Sequence, residues 1–179
     1  MSSASPKSGR SEDTDPRDPR SQGRELALLA LCHLESYPPE EYEEALALLW
    51  RSAPRGDDPR GRAFSKMVAN DEVRRRADGL ALGLIAKWTE VDGTISETSR
   101  RWRLERMAQV DRNVLRLAAY ELGHRPNTPR PVVLAEAVRL ARRYGSERSP
   151  TFVNGVAEAL ARRLRGGGAS KPAKAGADG

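Results

Sequence analysis

The sequence has one cysteine, two histidines and two phenylalanines, and aromatic residues fill only 5 % of its 179 positions. A single thiol, Cys32, excludes an internal disulfide, and with His33 and His124 as the only imidazoles no zinc ligand set can be assembled. No apolar run approaches the ~18 residues needed to cross a bilayer, and the opening MSSASPKSGRSEDTDPRDPR lacks the apolar stretch of a secretory signal. The protein is therefore expected to stay in the cytoplasm, with no membrane role. The motifs G-x-x-x-x-G-K-S/T, G-x-G-x-x-G, G-x-S-x-G and H-E-x-x-H are all missing. Neither histidine lies in a setting that suggests a triad. No catalytic residue, cofactor or metal is expected, and an enzyme is not.

Charge is what the chain does have, and it is unevenly spread. From Arg100 to Arg165 there are fifteen arginines, no lysine and six acids, a net of +9, whereas residues 1–99 carry fourteen basic and eighteen acidic side chains, a net of −4. A basic half points to nucleic acid or another polyanion, because neutralising phosphates releases counterions. The competing explanation is arginine-rich codon usage, with a solvated face of i,i+4 pairs.

Periodicity divides the rest. The first 22 residues and 166–179 are Ser, Pro, Gly and charge with almost nothing apolar, and are expected to be disordered tails. Between them, GRELALLALCHLESY predicts a helix so apolar that it must be central in a bundle. PPEEYEEALALLWRS predicts a second, with acids in the first turn where the helix dipole favours them, and PRGDDPRG breaks the chain. In NDEVRRRADGLALGLIAKWTEVDGTI, apolar residues at Val73, Ala77, Leu80, Ala81, Leu84, Ile85 and Trp88 predict one long helix ending before Asp92-Gly93. ISETSRRWRLERM reads as a short Arg-rich helix, VDRNVLRLAAYELGH as a core helix, and NTPRPVVLAEAVRLARRYG as a helix closing on Gly145. The last, over SPTFVNGVAEALARRL, has Ser149 as N-cap and Pro150 at the first helical position. Nothing reads as a strand. The expected fold is all-α, about seven helices in two packed bundles, over residues 23–98 and 99–165.

Three side chains stand out. Glu121 projects onto the apolar face of Val110, Val114, Leu117 and Ala118, so its carboxylate is either paired inside, most simply with an arginine, or covered by another protein. Cys32, set among leucines, reads as a small core residue rather than a nucleophile. Phe152 falls about a quarter turn from the core stripe of its helix, beside Ala159 and Arg163. It either fills the rim of the core or offers a face to a ligand. Arginines for phosphates, an aromatic for stacking and helix N-terminal N–H groups for anions are together what holds single-stranded RNA.

The segment from Met107 to Leu164 resembles the C-terminal half of the NusB transcription antitermination family. It carries that family's V-D/E-x-x-x-L-R-x-A-x-Y-E-L, E-A-V/I-x-L-A-R/K and F-V-N-G-V motifs, and GRELALLAL resembles its opening R-E-x-A-x-x-A-L. The resemblance spans about residues 23–165. It implies an all-α fold without catalysis. It also implies binding of boxA RNA of ribosomal RNA transcripts together with NusE, a small-subunit ribosomal protein, within the antitermination complex on RNA polymerase. Carried over by position, the RNA surface falls on Arg20, Arg24, Arg148, Ser149 and Phe152, and the partner surface on Asp111 and the first helix, including Cys32. The aspartates of DPRDPRSQGRE dilute the basic run that precedes R-E in relatives, whereas Arg148 replaces an acid seen in some of them and strengthens attraction for phosphate. Two other readings compete: a protein-only helical adaptor or homodimer, and the NusB-like module of an RNA cytosine methyltransferase, which requires a cofactor-binding domain beyond the last helix.

Overall fold

Asp18 starts the first helix, its carboxylate accepting the Arg20 N–H at 2.9 Å while Pro19 takes the first helical position. The computed structural model describes residues 18–52 and 58–166. Helix α1 (Pro19–Leu34) is followed by a 3-10 turn at Pro39–Glu41, α2 (Tyr42–Arg51), α3 (Pro59–Ala69), α4 (Asp71–Ile85) and α5 (Trp88–Thr98). A second 3-10 turn at Leu104–Arg106 leads to α6 (Gln109–His124), α7 (Arg130–Tyr144) and α8 (Ser149–Arg165). Among the described residues there is no strand, and no helix is long and apolar enough to cross a membrane.

The all-α expectation holds, with several boundaries displaced. The expected N-terminal tail reaches residue 22, but Pro19–Gln22 form the first turn of α1, because Asp18 and Pro19 make a start signal four residues before GRELALLAL. Residues 1–17 of that tail and residues 167–179 lie outside the described residues. Helix α3, which the sequence does not announce, begins with a second Asp-Pro cap at Asp58, whose carboxylate takes the Arg60 and Gly61 N–H groups at 2.8 and 3.1 Å. The single long helix expected through Ile85 and Trp88 is two, broken at Ala86–Lys87, and the second runs through Asp92-Gly93 to Thr98. The break lets α4 pack on α1 while α5 turns onto α6 and α8. The Arg-rich helix expected over ISETSRRWRLERM reduces to the end of α5, an irregular segment at Ser99–Arg103 and one 3-10 turn.

Helix α1 is central, as its all-round apolarity requires: Leu26, Ala27, Leu28, Ala30, Leu31 and Leu34 are fully buried, packed by α2, α3 and α4 on one side and α6 and α7 on the other. Helices α6, α7 and α8 pack pairwise as the second layer, and one continuous core joins the two. Its polar ties are charged. Glu35 at the end of α1 accepts from Arg112 (2.6 and 2.7 Å) and Arg116 (2.5 Å) on α6, and Arg116 also holds Asp92 of α5 at 2.7 Å while its guanidinium lies 4.4 Å from the Trp88 ring. Burial alone would raise the Glu35 carboxyl, but the hydrogen bonds and charge of Arg112, with Gln109 and Arg116, outweigh it and hold it below the usual carboxylate range.

Candidate nucleic-acid and partner interface

The turn between α7 and α8 is held by Ser149. Its buried hydroxyl accepts the Ser146 N–H at 2.9 Å and lies 3.1 Å from the Ser146 hydroxyl. Ser149 is therefore the first helical residue rather than the N-cap expected from sequence: Arg148 occupies the cap position and makes no side-chain cap bond. A Cβ on Gly145 would lie 2.5 Å from the Ser149 side chain, so this turn accepts no larger residue there. The consequence is geometric. Arg148 is pushed outward and exposed, and Phe152, one turn later, emerges half-buried beside it.

Phe152 does not stand alone. Trp102, 59 % exposed, meets it edge to face with ring centroids 5.5 Å apart and 73° between planes. Together with Arg106, Met107, Ala108, Asp111, Glu147, Arg148 and Thr151 they line an open cleft of about 820 Å³ at the start of α6. Arg106 and Arg148 have no side-chain ion-pair partner among the described residues. Asp111 is buried to 7 % exposure, and its Oδ1 makes no hydrogen bond. An unpaired buried acceptor on a cleft wall is a standing demand for a donor.

Cys32 lies near the same end of α6. Its carbonyl accepts from the Gln109 amide at 3.0 Å and its Sγ from Asn113 Nδ2 at 3.6 Å. Burial, opposed by that hydrogen bond, pushes the thiol up to about 11, so it is no nucleophile at neutral pH.

Arg20 and Arg24 lie elsewhere. Arg24 is buried, and its guanidinium forms two 2.8 Å hydrogen bonds with Glu121, the internal arginine partner that the position of Glu121 predicts. Burial would lower the Arg24 pKa, but the Glu121 carboxylate outweighs it and raises it, so the guanidinium stays charged. Above the pair opens a basin of about 800 Å³ whose walls include Arg20, Arg75, Arg76, Arg125 and Asn127. Arg76 is tied to Glu72 at 2.8 Å and Arg125 to the Gly79 carbonyl at 2.6 Å. Ten residues of α6, about 15 Å, separate Glu121 in this basin from Asp111 in the cleft. The five residues assigned to RNA thus occupy two sites rather than one.

The chain matches the model of the NusB family over residues 21–162. It belongs to that family. The transcription antitermination protein NusB of Sorangium cellulosum is 46 % identical over 145 residues, which cover 81 % of this chain and 93 % of the relative. The protein of the same name from Anaeromyxobacter sp. strain Fw109-5 is 41 % identical over 145 residues, 81 % of this chain and 91 % of that one. Among solved structures, NusB of T. maritima superimposes with a TM-score of 0.64 at 31 % identity, covering 80 % of this chain and 90 % of that one. The NusB subunit type crystallised with NusE and double-stranded RNA does so with a TM-score of 0.61 at 24 % identity, 82 % of this chain and 98 % of that one, a likeness of fold.

For this NusB-family chain, sequence reasoning passes over Trp102, Arg75, Arg76 and Arg125. Trp102 carries a legible signal, a tryptophan amid RRWRLER, where a core residue would not be flanked by three arginines. The basin arginines carry none: Arg75 and Arg76 lie on α4, which is amphipathic whether or not its polar face meets a ligand, and Arg125 is the residue after α6, where a cation suits the helix dipole in any case.

Proposed function

We propose that this chain is an RNA-binding transcription antitermination factor. With NusE it binds boxA-type single-stranded RNA of ribosomal RNA transcripts and joins the antitermination complex on RNA polymerase, in the cytoplasm, suppressing termination by binding rather than by catalysis. The observation that carries the reading is the Trp102–Phe152 pair: two aromatic rings at the surface, edged by Arg106 and Arg148, which have no ion-pair partner among the described residues. Exposed rings beside unpaired arginines suit bases and phosphates. The names of the relatives support the antitermination role, and NusE is the partner in the complex that shares this fold.

In this reading Arg148 holds a phosphate, Phe152 stacks a base, and Ser149 positions both by fixing the turn. Arg20, over the floor set by the Arg24–Glu121 pair, extends the basic track into the basin. Asp111, with its free acceptor, and Cys32 mark the surface that receives NusE. The decisive experiment is binding of a fluorescent boxA-type RNA, with and without NusE, at two salt concentrations. Salt-sensitive binding that NusE enhances and Phe152→Ala weakens, with the melting temperature little changed, is the expected result. Absence of binding even with NusE present would sink the RNA role and leave a protein-only adaptor.

A further inference from the structure

Trp102 has two faces. One side borders the Phe152 cleft; the other borders a second groove, of about 550 Å³, between the Glu97–Trp102 segment and α8, where Gly155, Val156, Ala159 and Arg163 form the opposite wall. Nothing in the reading above uses this groove. Three observations converge on it. Ser99 is buried to 7 % exposure on its wall, and its hydroxyl has no hydrogen-bond partner; Ser99 Oγ and Asp111 Oδ1, the unpartnered buried side-chain atoms among the described residues, thus flank Trp102 on either side. Arg100 and Arg101 are exposed on its rim, without a side-chain partner among the described residues, while Arg163 is paired with Glu97. A Cβ built on Gly155 would meet nothing within 4 Å, so α8 leaves its wall of the groove open there.

We infer that this groove is a nucleotide subsite, continuous with the Phe152 cleft across Trp102. Resting on the RNA reading above, it adds a second stacking residue and a specific pocket. The flat indole takes one base, Arg100 and Arg101 take the phosphates that flank it, and the Ser99 hydroxyl, able both to donate and to accept, meets a base edge or the ribose 2′-OH. Charge favours RNA over an apolar peptide here: of the ten residues lining the groove three are arginines and only Glu97 is acidic. Small residues on α8 leave room for a planar ring.

The test uses the full chain and a boxA-type single-stranded RNA, followed by RNA-labelled anisotropy and by tryptophan fluorescence. Trp102→Ala is expected to weaken binding about 5- to 150-fold, the range of one base–aromatic stack, and Trp102→Phe to recover most of it. Gly155→Gln places a side chain at the open wall of the groove and improves helix propensity, so it is expected to keep the melting temperature while weakening RNA binding about 10-fold. Quenching of fluorescence by RNA is expected in the parent and absent in Trp102→Phe. Wild-type affinity in both Trp102→Ala and Gly155→Gln, with Phe152→Ala still impaired, would overturn the subsite and leave the RNA reading intact. Loss of NusE binding with RNA binding unchanged would make the groove a protein contact and overturn it too. Failure of the parent chain to bind RNA would end both readings.

Discussion

The Arg24 guanidinium on α1 and the Glu121 carboxylate on α6 face each other in two 2.8 Å hydrogen bonds, with side chains only 8 % and 4 % exposed. This pair joins the central helix to the second layer and floors the basic basin. Removing either partner strands a buried charge: Arg24→Ala and Glu121→Ala are each expected to cost about 3–5 kcal/mol in urea unfolding. The double variant is expected to cost less than the sum of the two. Additive losses would show that the pair does not act as a unit.

The Glu35 cluster predicts an acid limb of stability. Because Arg112 and Arg116 hold the Glu35 carboxyl below its ordinary value of 4.5, its contribution is fully present above that pH and is lost as pH falls through the lower folded value. Unfolding free energy is therefore expected to be flat near neutrality and to drop below about pH 4.5. In Glu35→Gln the limb is shallower and the plateau lower; an unchanged profile would remove Glu35 from the account.

Cys32 is expected to resist alkylation. With its thiol pushed up to about 11, roughly one molecule in three thousand is thiolate at pH 7.5. Iodoacetamide labelling of the native chain is expected to be about 100-fold or more slower than in denaturant. Comparable rates would mean that the thiol is exposed.

Two glycines in helices predict opposite signs. A Cβ on Gly23 would lie 2.7 Å from the Arg76 Cβ, where α1 and α4 approach closely, so Gly23→Ala is expected to destabilise by about 1–3 kcal/mol. At Gly155 a Cβ meets open space, and Gly155→Ala is expected to stabilise by up to about 1 kcal/mol through helix propensity. Thermal melts of the two variants side by side check both.

Arg148 is exposed at the start of α8 and free of ion pairs among the described residues, so its removal separates binding from folding. Arg148→Ala is expected to leave the melting temperature unchanged and to reduce the salt dependence of RNA binding by about one unit of log–log slope. A slope equal to that of the parent would mean that Arg148 meets no phosphate.

Much of this is written locally. Asp18-Pro19 and Asp58-Pro59 act as start signals because a carboxylate and a proline act on N–H groups within three residues, although the second lies in PRGDDPRG, whose glycines and prolines read as a break rather than as the approach to a helix. Of the stripe that the spacing marks on α8, Val153, Val156, Ala157, Leu160 and Leu164, the residues Val153, Ala157 and Leu160 are buried, while Val156 and Leu164 at its edges are partly exposed. The split of α4 from α5 was not legible, because Trp88 continues the apolar spacing of α4 and only the need to reach α6 turns the chain at Ala86–Lys87. Ser149 was misread as a cap because the choice between capping α8 and closing the preceding turn depends on where Ser146 lies.

By itself the sequence determined an all-α chain, its central helix, its basic C-terminal half and a carboxylate, Glu121, on an apolar helix face, since periodicity and the placing of charge on it are properties of single helices. Tertiary packing alone decided that the cation is Arg24, that Arg20 and Phe152 occupy separate sites, and that Trp102 stands against Phe152 fifty positions away. An amphipathic pattern states which face of a helix leaves water, but the neighbour it meets is chosen by the packing of the eight helices of the described residues together.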